Sequence, residues 1–245
     1  MRLQALIHVL FRLPYRQLEG FTRTLQRWEP WLLTPNYSTT SRRVNTLDVA
    51  LEPHIDPGRP VTIAVDASGI KVADRSEWIR IKWRRRRSFL KIHIAVDVRT
   101  KQIVAIEVTD DRIGDGRVLR PLVEEARRHC RVVKALADGA HDSKENFAFL
   151  EERGIESAIK VRRSSSGRAG GCQARKRAVM EQLRDAESWK RRVGYGLRWM
   201  AETVFSTFKR LFGEHVMARS TPNMVREMLL KASLYNLFTG LNPAA

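Results

Sequence analysis

Four polar side chains near the C-terminus share one face of a predicted helix. Tyr195, Arg198, Glu202 and Lys209 are separated by three, four and seven residues, so at about 100° per residue they fall within an arc of about 60°. An apolar stripe projects from the opposite side, formed by Val193, Leu197, Met200, Val204, Phe208 and Leu211. A carboxylate between cations and a phenol suits a metal ion beside a nucleic-acid backbone. An amphipathic surface helix with ion pairs four residues apart explains the same pattern.

Two aspartates supply the remaining carboxylates of a candidate site. Asp66 ends the predicted strand 61–66, and Asp138 ends the predicted strand 132–138. Groups at the carboxyl ends of strands line the ligand crevice of an open α/β sheet, and Glu202 would arrive from the helix that crosses it. Three converging carboxylates raise one another's pKa, and hard divalent cations such as Mg²⁺ remove that penalty. The set therefore predicts metal-dependent phosphoryl transfer, with a turn-capping role as the alternative for Asp138.

Hydrophobic patterning divides the chain into a helical part and a strand-rich part. Residues 1–50 predict three short helices, and residues 51–60 carry three prolines and predict a linker. Residues 61–245 predict three meandering strands, a helix, a strand, a helix, a strand and then the helix with Glu202. This order predicts an α/β fold, a mixed sheet flanked by helices, with a small N-terminal helical domain. The three short helices resemble a helix-turn-helix for DNA, and a helical cap on the main domain explains them equally well.

The charge of the chain predicts a polyanionic partner. Lys and Arg number 45 against 27 Asp and Glu, which gives a formal net charge of +18. A basic run and a basic insertion around residues 162–190 favour a channel that contacts DNA phosphates, and the run consists of Arg84, Arg85, Arg86 and Arg87. No apolar run approaches the ~20 residues of a membrane span, so nucleic acid is favoured over membrane. The two distant cysteines predict reduced thiols of an intracellular protein.

The spaced signature resembles a known family. Tyr195-x2-Arg198-x3-Glu202-x6-Lys209 matches every spacing of the Tyr-Arg-Glu-Lys signature of DDE transposases from prokaryotic insertion sequences. Residues 65–69 and 137–142 are similar to the segments that hold the first and second metal-binding aspartates of that family. Residues 70–72, residues 91–97 and the helical C-terminal tail resemble the insertion-sequence family numbered five. The likeness covers about residues 61–240.

The resemblance implies a fold, an activity and a metal site. It implies a ribonuclease-H-like catalytic domain that binds the terminal inverted repeats of its element, cleaves their ends and transfers the strands into target double-stranded DNA. Asp66, Asp138 and Glu202 would hold two Mg²⁺ ions, with Mn²⁺ as a substitute. Because one element has two ends to cut, a homodimer on DNA is expected, in the cytoplasm of a prokaryote and associated with the nucleoid.

The same resemblance implies that Tyr195, Arg198 and Lys209 contact phosphates near the scissile bond. Arginine suits a bidentate phosphate contact and lysine acts as a point charge. Gly194 and Gly196 flank Tyr195 and favour a helix that begins only near residue 197. Two other functions stay open at this point. One is a ribonuclease-H-like nuclease without strand transfer, and the other is a transposase-derived DNA-binding protein without catalysis.

Overall fold

A mixed sheet forms the centre of the molecule. The computed structural model describes residues 2–72, 89–110, 112–166 and 171–241. Its strands are β1 (Pro60–Val72), β2 (Phe89–Asp97), β3 (Ile103–Asp110), β4 (Arg131–Ala137), β5 (Glu156–Ile159) and β6 (His215–Val216). The sheet order is β3-β2-β1-β4-β5, with β6 paired to the end of β1. Strands β1 to β3 form an antiparallel meander, and β4, β5 and β6 run parallel to β1.

Helices cover both faces of the sheet. They are α1 (Arg2–Phe11), α2 (Tyr15–Gln26), α3 (Tyr37–Val44), α4 (Leu119–His129), α5 (Lys144–Glu152), α6 (Gln173–Arg184), α7 (Ala186–Val193), α8 (Trp199–Phe212) and α9 (Thr221–Leu241). Buried residues of α1, α8 and α9 pack on one face, and those of α4, α5 and α6 pack on the other. The predicted mixed α/β sheet flanked by helices is therefore confirmed, and its strand order agrees with the ribonuclease-H-like fold.

The central strands alternate between the two helical layers. Ala64 and Ile70 of β1 face the layer of α8 and α9, whereas Ile63 and Val65 face the layer of α4 and α5. Successive side chains of a strand point to opposite faces, and here both faces are apolar because both are covered. The burial of both faces of β1 explains the continuous apolar run from which this strand is predicted.

The N-terminal helices share the core of the sheet. Ala5 and Val9 of α1 and Val44 of α3 belong to the same buried cluster as the residues of α8 and α9. Helix α3 begins after Asn36, whose side chain accepts a hydrogen bond from the backbone N–H of Thr39. The division into residues 1–50, 51–60 and 61–245 stays a prediction.

Helix α9, of 21 residues, carries a buried ion pair. Lys231 Nζ lies 2.8 Å from Glu227 Oε1, and both side chains are almost inaccessible to solvent. Glu227 accepts from the backbone N–H groups of Met217 and Ala218, and Lys231 donates to the carbonyl of His215. The pair therefore ties β6 and the two residues after it to helix α9. Within the described part of the chain, no helix is both long and apolar enough to cross a membrane.

Candidate active site

The register of the parallel strands places Asp66 beside Asp138. Ala64 of β1 pairs with Leu136 of β4, and each aspartate follows two residues later on its own strand. Side chains two residues apart on a strand share a face, so both aspartates project toward the layer of α8 and α9. The prediction that Asp66 ends its strand is wrong, because Asp66 still pairs with Ile94 of β2 and β1 continues to Val72. The pairing of β1 with β4 ends at Ala64, and the crevice opens there.

Asp138 orients its carboxylate by capping the turn that follows. Its Oδ1 accepts from the backbone N–H of Ala140 at 2.9 Å, at the start of the 3-10 turn Gly139–His141. The side chain is nevertheless 47% exposed. His141 Nε2 lies 4.0 Å from the same oxygen, and burial lowers the pKa of His141. The capping alternative therefore describes one carboxylate oxygen of Asp138, and the carboxylate still faces solvent.

Helix α8 contains only two of the four signature residues. It begins at Trp199, and residues Tyr195–Arg198 form a separate 3-10 turn. Gly194, the residue after α7, has φ 67° in the left-handed region, which breaks the chain direction between the two helices. One continuous helix carrying all four side chains is therefore the wrong description. Glu202 and Lys209 lie on α8, and the other two precede it.

Tyr195 fastens the 3-10 turn to the end of β4. Its hydroxyl donates to the carbonyl of Ala137 at 3.3 Å, next to Asp138, and its ring packs on buried Trp189 with centroids 5.1 Å apart. Burial raises the pKa of Tyr195 to about 12, so the phenol is neutral at pH 7. In this arrangement Tyr195 positions the turn that carries Arg198.

The guanidinium of Arg198 lies between two of the three carboxylates. Its Nη1 is 3.6 Å from Asp66 Oδ2, and its Nη2 donates to Glu202 Oε1. Burial raises the pKa of Asp66, Arg198 opposes that rise, and the charges of Asp138 and Glu202 add to it. The charges of Asp138 and Glu202 therefore act on Asp66, although the three acids come from two strands and a helix.

The donor set has the chemistry of a divalent-metal site. Carboxylate oxygens are the ligands that Mg²⁺ prefers, and mutual repulsion of the acids is the cost that a cation removes. Among the described residues, no three His, Cys, Asp or Glu side chains are arranged to hold one ion. In this arrangement Arg198 supplies the positive charge between Asp66 and Glu202.

The other predicted DNA contacts lie apart from the acids. Lys209 follows Glu202 by seven residues, which is about 10 Å along a helix. It lies near Glu214, whose pKa is lowered mainly by Lys71 and then by Lys209. The predicted contacts Arg84, Arg85, Arg86 and Arg87 fall outside the described residues.

A partly buried network on the opposite face escaped the sequence patterns. Lys91 pairs with Asp115, and His93 Nδ1 lies 3.5 Å from Asp115 Oδ1. Burial lowers the pKa of His93 to about 4, so the ring is neutral at pH 7. Asp115 and Lys91 also act on His141, the neighbour of Asp138. The charges of the network therefore reach the loop after β4, and the alternation of Lys91 and His93 on one strand was its signal.

A second buried carboxylate ties the basic insertion to that loop. The side chain of Asp142 is fully buried and receives both Nε (2.6 Å) and Nη2 (3.0 Å) of Arg175. It also accepts from the backbone N–H of Arg162 and the hydroxyl of Ser165. The position of Asp142 shortly after Asp138 suggests ordinary turn capping. The structure shows instead that Asp142 joins the insertion to the loop that follows Asp138.

We expect Asp66→Asn to raise the melting temperature of the metal-free protein at neutral pH. Burial raises the pKa of Asp66 in the folded chain above its unfolded value of about 3.9. Ionisation therefore weakens the folded state as the pH rises through the folded pKa, and this loss is absent below the unfolded pKa. Thermal unfolding as a function of pH measures the effect. The advantage of the variant should disappear below about pH 4; a constant difference at all pH values would contradict it.

Comparison with known proteins identifies the family. A family model described as "Transposase DDE domain" matches residues 57–237, and a second model of the same description matches residues 1–75. A solved structure that is similar is the cryo-EM structure of the simian T-cell lymphotropic virus intasome in complex with PP2A regulatory subunit B56 gamma. It is 14% identical over 85% of this chain and 69% of that chain, with a TM-score of 0.30. Because the first model spans more than half of the chain, the protein belongs to the family of transposases with a DDE domain.

Proposed function

We propose that this transposase binds the terminal inverted repeats of an insertion sequence, cleaves DNA at the element ends and transfers the strands into target DNA. The observation that carries the proposal is the register that sets Asp66 beside Asp138, with Glu202 close enough to affect the same pKa. The spaced signature, which resembles that of insertion-sequence family five, supports the same conclusion.

The three carboxylates would hold two Mg²⁺ ions, or Mn²⁺ in their place. When bound, such ions activate the attacking oxygen and stabilise the leaving one. The sheet fixes the directions of Asp66 and Asp138, and α8 presents Glu202 from above the crevice. Arg198 contacts both Asp66 and Glu202, so holding a metal would require these acids to release its guanidinium, which would then be free for a phosphate oxygen. Hydrolysis and strand transfer are both in-line displacements at phosphorus, and one site therefore serves both.

The charge of the chain supplies the remaining contacts with DNA. The net charge of +18 favours association with the phosphate backbone, and half-buried Lys209 extends the cationic surface along α8. Two ends of one element need two sites, so we propose a homodimer on the DNA. Tyr195 contributes by holding the turn of Arg198 in place.

Labelled DNA separates this proposal from its alternatives. The duplex is taken from the DNA that flanks the coding sequence and is incubated with the protein and Mg²⁺. Cleavage at the ends, together with joining of pre-cut ends that carry a free 3′-hydroxyl, is the expected result. Cleavage without any joined product would indicate a nuclease, and binding without cleavage would indicate a non-catalytic DNA-binding protein. Either outcome would overturn the proposal.

We expect Lys209→Ala to weaken DNA binding and to flatten its salt dependence by about one unit of log–log slope, because one phosphate contact contributes about 0.9. Arg198→Ala should flatten the slope less without Mg²⁺, since its guanidinium is then engaged by Asp66 and Glu202. Fluorescence anisotropy across a salt series measures both slopes. Arg128→Ala on α4, across the sheet, is the control and should leave the slope unchanged. Equal slopes for Lys209→Ala and the wild type would show that Lys209 does not contact DNA phosphates.

A further inference from the structure

Exposed large apolar side chains are concentrated near the N-terminus. Of the fourteen that are exposed among the described residues, six lie between residues 11 and 37, namely Phe11, Phe21, Trp28, Trp31, Leu33 and Tyr37. We propose that this N-terminal apolar surface binds a second copy of the chain, so that the protein is a dimer before it meets DNA. The inference goes beyond the proposed function, since it requires neither DNA nor a metal ion.

The loop between α2 and α3 presents its apolar side chains in a fixed arrangement. Leu32 is 6% exposed, whereas its neighbours Trp31 and Leu33 are 73% and 80% exposed. Gln26 of α2 donates to the carbonyl of Leu32 at 3.0 Å. Gln4 of α1 donates to the carbonyl of Leu33 at 2.7 Å. The loop is thus tied to both helices, and little further ordering is needed when a partner covers its outward side chains.

The area of the surface matches one side of a stable interface. Phe11 of α1 and Phe21 of α2 extend it, with ring centroids 5.8 Å apart, and Trp28 is 80% exposed. With about 150–250 Å² for a whole large side chain, the six side chains expose about 550–900 Å². One partner of a standard protein–protein interface contributes about 800 Å², and the largest apolar patch of a typical monomer is about 300–600 Å². Burial of this surface is therefore sufficient for a dimer.

The charge of the loop favours a protein partner over DNA. Residues 28–41 contain no Lys or Arg and one acid, Glu29, although the chain carries 45 Lys and Arg in 245 residues. A phosphate backbone would therefore meet an acid and no cation within this segment. Aromatic residues are enriched in interfaces between proteins, whereas Lys is depleted there. The segment thus has the composition of a protein–protein contact.

The surface is also complementary to itself, which selects a second copy of the chain as the partner. Arg27 and Glu29 carry opposite charges on either side of Trp28, and both are exposed. The carboxylate of Glu29 is held by Trp31, whose indole N–H donates to it at 2.6 Å. In a two-fold dimer the same patch faces itself, so Arg27 of one protomer can pair with Glu29 of its partner, and the pairing occurs twice. These pairs offset part of the repulsion between two chains of net charge +18.

The N-terminal apolar surface lies toward the end of α8 that is farther from the carboxylates. The guanidinium of Arg12 packs on Gly213, which follows α8, since a Cβ added to that glycine would lie 2.8 Å from Arg12 Cζ. Glu202 precedes Gly213 by eleven residues, which is about 16 Å along a helix. A contact between two copies at the N-terminal helices therefore does not occupy the crevice of the carboxylates.

The mass of the DNA-free protein in solution tests the inference. Sedimentation equilibrium is measured over a series of protein concentrations, on protein stripped of nucleic acid and without a divalent metal. At about 0.5 M salt, complexes bridged by residual nucleic acid dissociate, whereas an apolar contact persists. We expect a dimer for the wild type. Trp28→Ser with Trp31→Ser should raise the dimer dissociation constant at least about 100-fold, because truncation of a buried interface tryptophan commonly costs a factor of ten or more.

Met180→Ser with Leu183→Ser is the matched control. These two apolar positions on α6 are 54% and 62% exposed, and their replacement should change the dissociation constant by less than about twofold. Circular dichroism should show unchanged secondary structure in both double variants, since all four side chains are exposed. A wild type that is monomeric at every concentration would overturn the inference. A dimer that both double variants weaken equally, or that neither weakens, would do the same.

A reversal of charge tests the two-fold arrangement. Arg27→Glu alone should weaken the dimer about 5- to 30-fold at low salt, because both pairs become repulsive. The substitution also lowers the net charge, which by itself favours association, so a weaker dimer reports the contact itself. Arg27→Glu with Glu29→Arg should return the dissociation constant to within about threefold of the wild type, and a second reversal without recovery would contradict the pairing.

The sedimentation measurements involve no cleavage, so they are independent of the proposed chemistry. A monomeric wild type that still cleaves and joins DNA ends would overturn the inference and leave the transposase proposal standing. A dimer that depends on Trp28 and Trp31 but neither cleaves nor joins DNA would support the inference and count against that proposal.

Discussion

Asp66→Asn, Asp138→Asn and Glu202→Gln are each expected to lower DNA end cleavage about 10³-fold while DNA binding is retained. An amide keeps the shape of the side chain but loses the negative charge that would hold a divalent ion. The ions of such a site stabilise the transition state by several kcal/mol, and about 4 kcal/mol corresponds to 10³ in rate. Asn remains a good N-cap, so Asp138→Asn should keep the 3-10 turn that follows it.

Single-turnover cleavage of end-labelled DNA and anisotropy of the same DNA measure the two quantities. Glu107→Gln is the matched control, because Glu107 is also a sheet carboxylate whose pKa is raised by burial. It faces the layer of α4, since it pairs with His93 across the strands, and its cleavage rate should change by less than about twofold. Undiminished cleavage in Asp66→Asn would refute the site. A loss of DNA binding that parallels the loss of cleavage would instead show that the acids maintain the folded structure.

Glu227→Ala is expected to lower the free energy of unfolding by about 3–5 kcal/mol. The change leaves Lys231 buried without its counter-ion and removes the acceptor for the backbone N–H groups of Met217 and Ala218. Burial already lowers the pKa of Lys231, and the Glu227 charge opposes that shift. Urea denaturation at neutral pH measures the loss, provided that unfolding is two-state.

The exposed pair between Arg128 and Glu125 is the control for this prediction. Only screened charge is lost in Arg128→Ala, so the cost should stay below about 0.5 kcal/mol. Replacing both members of the buried pair, as in Glu227→Leu with Lys231→Met, should recover part of the stability because no buried charge is left alone. A Glu227→Ala protein as stable as the wild type would show that Lys231 finds another partner.

The sequence predicts the sheet well because its strands are apolar runs. Both faces of the central strands are buried, and the acids that follow those runs are visible as interruptions of the pattern. The end of β1 is not predictable in this way. Residues 67–69 are weak strand formers, and they remain in the strand because β2 pairs along one side. Tertiary contacts there override local propensity.

The partners of the site side chains depend on distant parts of the chain. Periodicity places Arg198 and Glu202 on neighbouring turns, and nothing in that spacing shows that Asp66 also reaches the guanidinium. The left-handed conformation of Gly194, which sets Tyr195 outside α8, was indicated by the flanking glycines alone. The link between Asp142 and Arg175 joins segments whose sequences share no pattern.

The buried side chain of Asp142 connects the loop after Asp138 to the cationic insertion through an ion pair and hydrogen bonds. Pulling them apart would leave an inaccessible negative charge without donors, which is costly in a protein interior. A force that bound DNA exerts on the insertion would therefore also act on the loop after Asp138. If DNA binds the insertion as proposed, its docking would also affect the direction of Asp138, one of the proposed metal ligands.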